Sequence, residues 1–320
     1  MARLTIIGLG LIGGSIGLAV RRAKLGFEVI GHDRSFEEAG QAKKLGAVDR
    51  AEWNLPAAVE TADIVVVAVP VQAIPDVFRD IAPHLRPGTI VTDTGSTKTN
   101  VMAWASEMLP STVSFIGGHP MAGKEKSGIA AADADLFNGA TYCLIAGPEA
   151  NGNALDQIAT LVEAIGARPY SLDPHEHDSF VAAVSHLPFI SAAALVNAVS
   201  SGPAWRDARR LAAGGFRDTT RVASGDVVMH RDVCLTNRDS ILRWLDEYLI
   251  ALADLRAAIE AGDDQVEALL RQAKEARDAW ESEAAGRVPA TYDLPGSGEG
   301  ISRMLFGQRG TRGNRDSRER

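Results

Sequence analysis

His119 sits in the run Gly117-Gly118-His119-Pro120-Met121-Ala122-Gly123, where a histidine has no packing reason to be. Imidazole titrates near neutral pH, so His119 reads as an acid–base group that could take a proton from an alcohol. The alternative is a structural histidine hydrogen-bonded in a turn. Other polar clusters could converge with it. Asp93-Thr94-Gly95-Ser96-Thr97-Lys98 follows a strand-like run, and Ser185-His186-Leu187-Pro188 lies in an apolar stretch. A lone histidine there is usually a satisfied core residue, so His186 reads either way. In Gly214-Gly215-Phe216-Arg217-Asp218-Thr219-Thr220-Arg221, Arg221 would clamp a carboxylate through paired N–H bonds. Its alternative is a surface ion pair with Asp218. His175, Glu176, His177 and Asp178 resemble metal ligands. His175 and His177 cannot share a helix face at that spacing, so the segment reads as a helix start and no metal is assigned.

Such groups need a scaffold that brings an oxidant to them, and the first residues supply one. Leu4–Ile7 is a short apolar run, followed by Gly8, Gly10 and Gly13 in G-x-G-x-x-G spacing, a helical stretch over 15–23, a second strand over 28–31, and Asp33. Gly8 permits the tight turn, Gly10 lets the backbone approach a pyrophosphate, and Gly13 lets the helix lie against the sheet. N–H groups at the helix start, around Leu11 and Ile12, face the phosphates. Asp33 accepts hydrogen bonds from the adenosine ribose and repels a 2′-phosphate, which favours NAD over NADP, although Arg34 beside it could contact a 2′-phosphate. Val69 and Pro70, closing the next central strand, complete the expected cofactor contacts.

Further strands are predicted at 62–69, 89–92, 113–117, 142–146 and 168–171, with helices over 36–45, 74–84 and 101–108. This alternation predicts an α/β fold with a Rossmann-type, doubly wound parallel sheet over residues 1–172. The pattern then changes. No strand is expected over 174–285, while 177–199, 240–261 and 266–280 have helical periodicity. The stripes are Phe180, Val184, Leu187, Ile190, Ala194, Leu195 and Ile241, Leu245, Leu249, Leu252, Leu255, Ile259. Residues 173–286 therefore read as an all-helical domain with apolar faces broad enough for a homodimer. Residues 287–320, rich in Gly and Arg, read as a disordered tail.

A net charge of −8 without a long basic run before the tail argues against a nucleic-acid surface. No uncharged apolar run is expected to reach the roughly 20 residues of a membrane helix, so no membrane partner is expected. The chain opens directly on a strand, so no leader peptide is expected. Cys143 and Cys234 are too far apart in sequence for a metal motif, and free thiols point to the cytosol.

Six segments together carry a resemblance: GLGLIGGS from Gly8, VTDTGSTK from Val91, GGHPMAGKEKSG from Gly117, SHLP from Ser185, GGFRDTTRVAS from Gly214 and RDVCLTNR from Arg231. With them the chain closely resembles the prephenate/arogenate dehydrogenase family of tyrosine biosynthesis. The resemblance implies NAD-dependent oxidative decarboxylation of prephenate to 4-hydroxyphenylpyruvate, or of arogenate to tyrosine. It implies that His119 is the catalytic histidine and that Ser96 contacts the same substrate hydroxyl. It places His186, Arg221 and Gly214 around the substrate, Glu125 at the pocket gate and Asp218 beside Arg221. It also implies a dimer through the helical domain. One departure is His230, where relatives often carry Trp before the Arg231-Asp232 pair, which bears on substrate preference. A β-hydroxyacid dehydrogenase would need a lysine in the helical half, and 172–261 contains none. A non-catalytic NAD-sensing protein would not need His119, Ser96 and Arg221 together.

Overall fold

The structure, a computed structural model, describes residues 1–124, 126–147, 150–262 and 264–285. Glu125 and the tail expected at 287–320 lie outside the described residues. Runs of apolar, β-branched residues become the middle of a sheet covered on both faces. In chain order the first half is β1 (Ala2–Ile7), α1 (Leu11–Arg22), β2 (Phe27–His32), α2 (Phe36–Lys44), β3 (Arg50–Ala51), α3 (Leu55–Val59), β4 (Ile64–Val67), α4 (Ile74–Ile81), β5 (Ile90–Asp93), α5 (Thr99–Met108), β6 (Ser114–Pro120), β7 (Thr141–Ala146), α6 (Gly152–Ala164) and β8 (Arg168–Ser171). The eight strands lie in the order β3-β2-β1-β4-β5-β6-β7-β8. The chain winds outward from β1 in one direction and from β4 in the other. A crevice therefore opens between the carboxyl ends of β1 and β4, where ligands of doubly wound sheets bind. Ile16, Val20 and Leu161 belong to the core on one face of the sheet, and Phe78, Val101 and Ile74 to that on the other.

The sheet departs from the expected all-parallel form at one step. β7 runs antiparallel to β6, with His119 opposite Cys143. Residues 121–140 contain only the short 3₁₀ turn Ile129–Ala131 among the described residues, not the crossover helix that a parallel return needs. His119 is accordingly a strand residue with a ladder partner, rather than part of a loop beyond the strand. The short β3 and α3, and the longer α6, had no counterpart in the sequence reading.

From Pro174 the described chain is helical: α7 (Pro174–Val181), a π turn (Ala182–His186), α8 (Leu187–Ser200), α9 (Trp205–Ala208), α10 (Gly214–Thr220), α11 (Val227–Thr236), α12 (Arg238–Ala261) and α13 (Gln265–Ala285). The π turn has a local cause. Pro188 has no N–H to give to the preceding turn, and the extra residue absorbs the mismatch while turning His186 inward. The apolar stripe read on this segment is only partly covered: Ile190 packs against Ala182, Val233 and Ile241, whereas Phe180 and Val184 are exposed, and the buried positions include His177, Asp178, Val181, Ala182 and His186. On α12, Leu249, Leu252 and Ile259 are exposed as well.

The expectation of no membrane-length segment is corrected on length and composition. Residues 174–200 form one helix long and apolar enough to cross a bilayer, with only 22% of the apolar window buried in a single chain. The helix carries buried polar groups on one side and bare apolar side chains on the other, an arrangement that suits a protein partner.

Candidate active site

Local geometry alone builds the nucleotide turn. Gly8 has φ of +92°, and a Cβ there would collide with the Ala68 carbonyl at the end of the β4 strand. A Cβ on Gly13 would collide with the Gly8 carbonyl, while one on Gly10 would meet nothing within 4 Å, so Gly10 opens onto free space. Gly10 caps α1 without a side-chain hydrogen bond, leaving the first N–H groups of the helix, at Leu11 and Ile12, to a ligand. Asp33 Oδ2 accepts from Leu9 N at 2.7 Å and Oδ1 from Ser35 N at 2.8 Å, which holds the carboxylate beside the turn. Arg34 is exposed next to it, and half-buried Val69 lies against Gly8 with Pro70 beyond. These residues fit a dinucleotide: a glycine cradle open at Gly10, an uncapped helix start and a fixed acidic side chain.

Three strands away, the end of β6 holds His119 in a buried polar network. His119 Nδ1 lies 2.8 Å from His177 Nε2, and His177 Nδ1 lies 2.9 Å from Asp178 Oδ1. Asp178 in turn accepts from the backbone N–H groups of Lys98 at 2.7 Å and Thr99 at 2.8 Å, where α5 begins. The Lys98 side chain turns the other way, fully buried. It pairs with Asp93 and donates to the Gly118 carbonyl at 2.7 Å. Asp93 also accepts from Gly95 N and Gly118 N, so one ion pair ties the end of β5, its loop and the strand carrying His119 together. Burial above all, then neighbouring His177, Lys98 and His186, hold His119 well below the usual imidazole range. It is a neutral ring at neutral pH. Its Nε2 has no partner among the described residues.

His186 is set in the complementary sense. Asn237 Nδ2 donates to the Asp178 carbonyl at 2.7 Å and lies 3.2 Å from His186 Nδ1. That amide nitrogen can only donate, so His186 Nδ1 accepts and Nε2 carries the proton. Nε2 is buried with no partner among the described residues. Burial first, against the opposing pull of Asp178, lowers His186 to about 4. The site thus offers one ring nitrogen of His119 with no partner among the described residues, and one unsatisfied N–H donor, on His186.

Comparison with known proteins accounts for both halves of this arrangement. The chain matches the family model of the prephenate dehydrogenase nucleotide-binding domain over residues 16–171 and that of the prephenate dehydrogenase dimerization domain over 173–275. It is 38% identical to a prephenate dehydrogenase of Bacillus subtilis, over 91% of this chain and 79% of that protein. The chain belongs to the prephenate dehydrogenase family. It is also 34% identical to a cyclohexadienyl dehydrogenase of Zymomonas mobilis, over 86% of this chain and 94% of the relative. Among solved structures it superposes on the prephenate dehydrogenase of Aquifex aeolicus, in complex with hydroxyphenyl propionate and NAD⁺, with a TM-score of 0.82 and 28% identity over 87% of this chain and 98% of that one. A Synechocystis arogenate dehydrogenase aligns with a TM-score of 0.75 and 33% identity over 87% and 99% of the two chains.

Within this family frame only some of the residues singled out from the sequence come together. His119 and His186 share one buried network through His177, Asp178 and Asn237. Ser96 is half-buried in the loop between Gly95 and Thr97, and its hydroxyl has no protein partner among the described residues. Gly214, Asp218 and Arg221 lie outside the network, on the exposed turn formed by α10 and the 3₁₀ turn after it. His230 stacks flat on Phe189, with ring centroids 4.0 Å apart, and Phe189 leans on His186 at 6.4 Å.

Sequence reasoning missed His177, Asp178, Lys98 and Asn237 as site residues. It took His177 and Asp178 for part of a helix cap, but the cap is Asp173, which accepts from His175 N and Glu176 N. The available signal was spacing: His177 stands four residues before Val181, and the buried side of the helix runs through both.

Proposed function

We propose that this protein catalyses the NAD-dependent oxidative decarboxylation of prephenate to 4-hydroxyphenylpyruvate. Family membership supports the reading. The observation that carries it is the pairing of a buried neutral His119, with one free nitrogen, and His186, with one unsatisfied N–H. A cyclohexadienol needs both kinds of group. Bound NAD⁺ supplies the hydride acceptor. His119 Nε2 takes the proton of the ring hydroxyl as the adjacent C–H bond breaks. Loss of the ring carboxylate as CO₂ returns its bonding electrons to the ring, which becomes aromatic. The same imidazolium can then give its proton back to the phenol oxygen, so the proton balance closes. Aromatisation drives the step, and the protein's part is to orient the ring and hold the proton.

In this reading Ser96 shares the substrate hydroxyl with His119, and His186 donates to a substrate oxygen. Arg221 binds a substrate carboxylate and is placed by Asp218 near Gly214, and Glu125 gates the pocket. The helical halves of two copies pair through the exposed faces of the helix over 174–200 and of α12, in keeping with the dimerization-domain match. The enzyme works in the cytosol. The test is NADH formation by the purified protein with prephenate and with arogenate, each with NAD⁺ and NADP⁺. Turnover of prephenate with NAD⁺ is expected, and no turnover of either acid by a folded, NAD-binding protein overturns the proposal.

A further inference from the structure

The mechanism needs His119 to present a bare nitrogen to the substrate, and nothing about an isolated imidazole selects which of its two nitrogens is bare. We infer that His177 and Asp178 form a positioning dyad that fixes His119 as the Nδ1–H tautomer and leaves Nε2 as the proton acceptor. The inference rests on the proposed function above and deepens it.

The chain of hydrogen bonds has a direction set at its far end. Asp178 is a carboxylate that already accepts two backbone N–H groups, Lys98 N at 2.7 Å and Thr99 N at 2.8 Å, at the start of α5. Burial pushes its carboxyl up, but the hydrogen bonds from His177, Thr99 and Lys98 outweigh that and hold it below the usual carboxylate range. It can only accept, so the His177 nitrogen 2.9 Å away, Nδ1, is the donor. With its Nδ1 proton given to Asp178, His177 turns the lone pair of Nε2 to His119, and the His119 nitrogen 2.8 Å from it, Nδ1, carries the proton. His119 Nε2 follows as the free acceptor.

The negative charge of Asp178 is met by the N-terminus of α5, so the dyad does not need an imidazolium to neutralise it. The other groups facing the pair are accounted for. Lys98 is engaged by Asp93 and Gly118, Cys143 lies across the ladder, Tyr142 is buried with its hydroxyl pushed up by burial, and His186 is held by Asn237. Once His119 takes the substrate proton, its positive charge lies one imidazole from Asp178. The dyad then stabilises the state that the reaction produces. Both act through His119: the two ring nitrogens of His177 are taken by His119 and Asp178, and the Asp178 carboxylate by His177 and the N–H groups of Lys98 and Thr99.

The test combines a spectrum with two substitutions in the full-length protein. Side-chain ¹⁵N–¹H correlation on histidine-labelled protein reads the tautomer directly, with His119→Asn assigning the signal. Protonated Nδ1 and bare Nε2 on His119 are expected, and a protonated Nε2 overturns the inference. His177→Phe fills the space but breaks the relay, and kcat for prephenate should fall roughly 10²-fold or more with NAD binding unchanged. His177→Gln keeps one donor for Asp178 and one acceptor for His119, so it should recover most of that loss although it fills the site less well. A purely structural role predicts the opposite order, and a His177→Phe variant with parental kcat refutes the dyad. Should either variant fail to fold, the spectrum of the parent protein still decides. Because the tautomer is read without turnover, a parent enzyme inactive on prephenate counts against the proposed function and not against the dyad.

Discussion

Replacing His119 by Asn separates the chemistry of the site from its structure. The asparagine Nδ2 falls near the place of the imidazole Nδ1 and can still donate to His177 Nε2, which lies 2.8 Å from the ring nitrogen. What disappears is Nε2, the only nitrogen free to take a proton. A positioned general base contributes roughly 10²–10⁴-fold, or about 3–5 kcal/mol of barrier, so kcat should fall by that factor. Stability should change by only about 1 kcal/mol, because the buried hydrogen bond survives. His119→Ala gives the contrast. It leaves the His177 nitrogen buried and unpaired, which costs a further ~1–3 kcal/mol of stability, while kcat falls no further than in the Asn variant. The assay is NADH production at saturating prephenate and NAD⁺, with thermal melts and NAD titration on the same preparations. An Asn variant that folds, binds NAD and turns over within about tenfold of the parent would refute the assignment, since that loss falls below the range for a general base.

Three further outcomes follow from the same network. Lys98→Met leaves Asp93 as an uncompensated buried charge and should destabilise the protein by about 3–5 kcal/mol in denaturant unfolding; adding Asp93→Asn should restore part of it, and an additive double variant would argue against the pair. His186 is lowered from 6.5 to about 4 in the folded state, so the unfolded chain binds the extra proton and stability falls with pH. The contribution is intact above pH 6.5, is lost on the way down to about pH 4, and amounts to roughly 3 kcal/mol; His119 shifts in the same direction. Melting temperature against pH should decline less steeply in His186→Gln, and an unchanged slope would place the acid sensitivity elsewhere. Arg221→Ala should mainly raise KM for prephenate, because it removes a charge-assisted contact to bound substrate; an unchanged KM with lower stability would make Arg221 structural.

Much of this protein is written locally in its sequence. The nucleotide turn is legible because each glycine answers a steric demand within a few residues: Gly8 at positive φ, Gly13 against the Gly8 carbonyl, Gly10 open to a ligand. The central strands announce themselves as β-branched runs, and the change to helix after Ser171 shows in the periodicity. His119 could be singled out because its glycine and proline neighbours leave it no packing role. Tertiary structure decided the rest. The antiparallel β7 depends on what the chain does between residues 121 and 140, where periodicity is silent. The stripe on the helix over 174–200 proved to be divided, with Ile190 in the core and Phe180 and Val184 bare, because an apolar pattern cannot say which of its members are covered by their own chain. The relay from His119 through His177 to Asp178 spans 58 residues of sequence between its first two members. Its meaning lies in which nitrogen meets which oxygen, and residue order does not contain that direction. It appears only when β6, α7 and the start of α5 are brought within hydrogen-bonding distance.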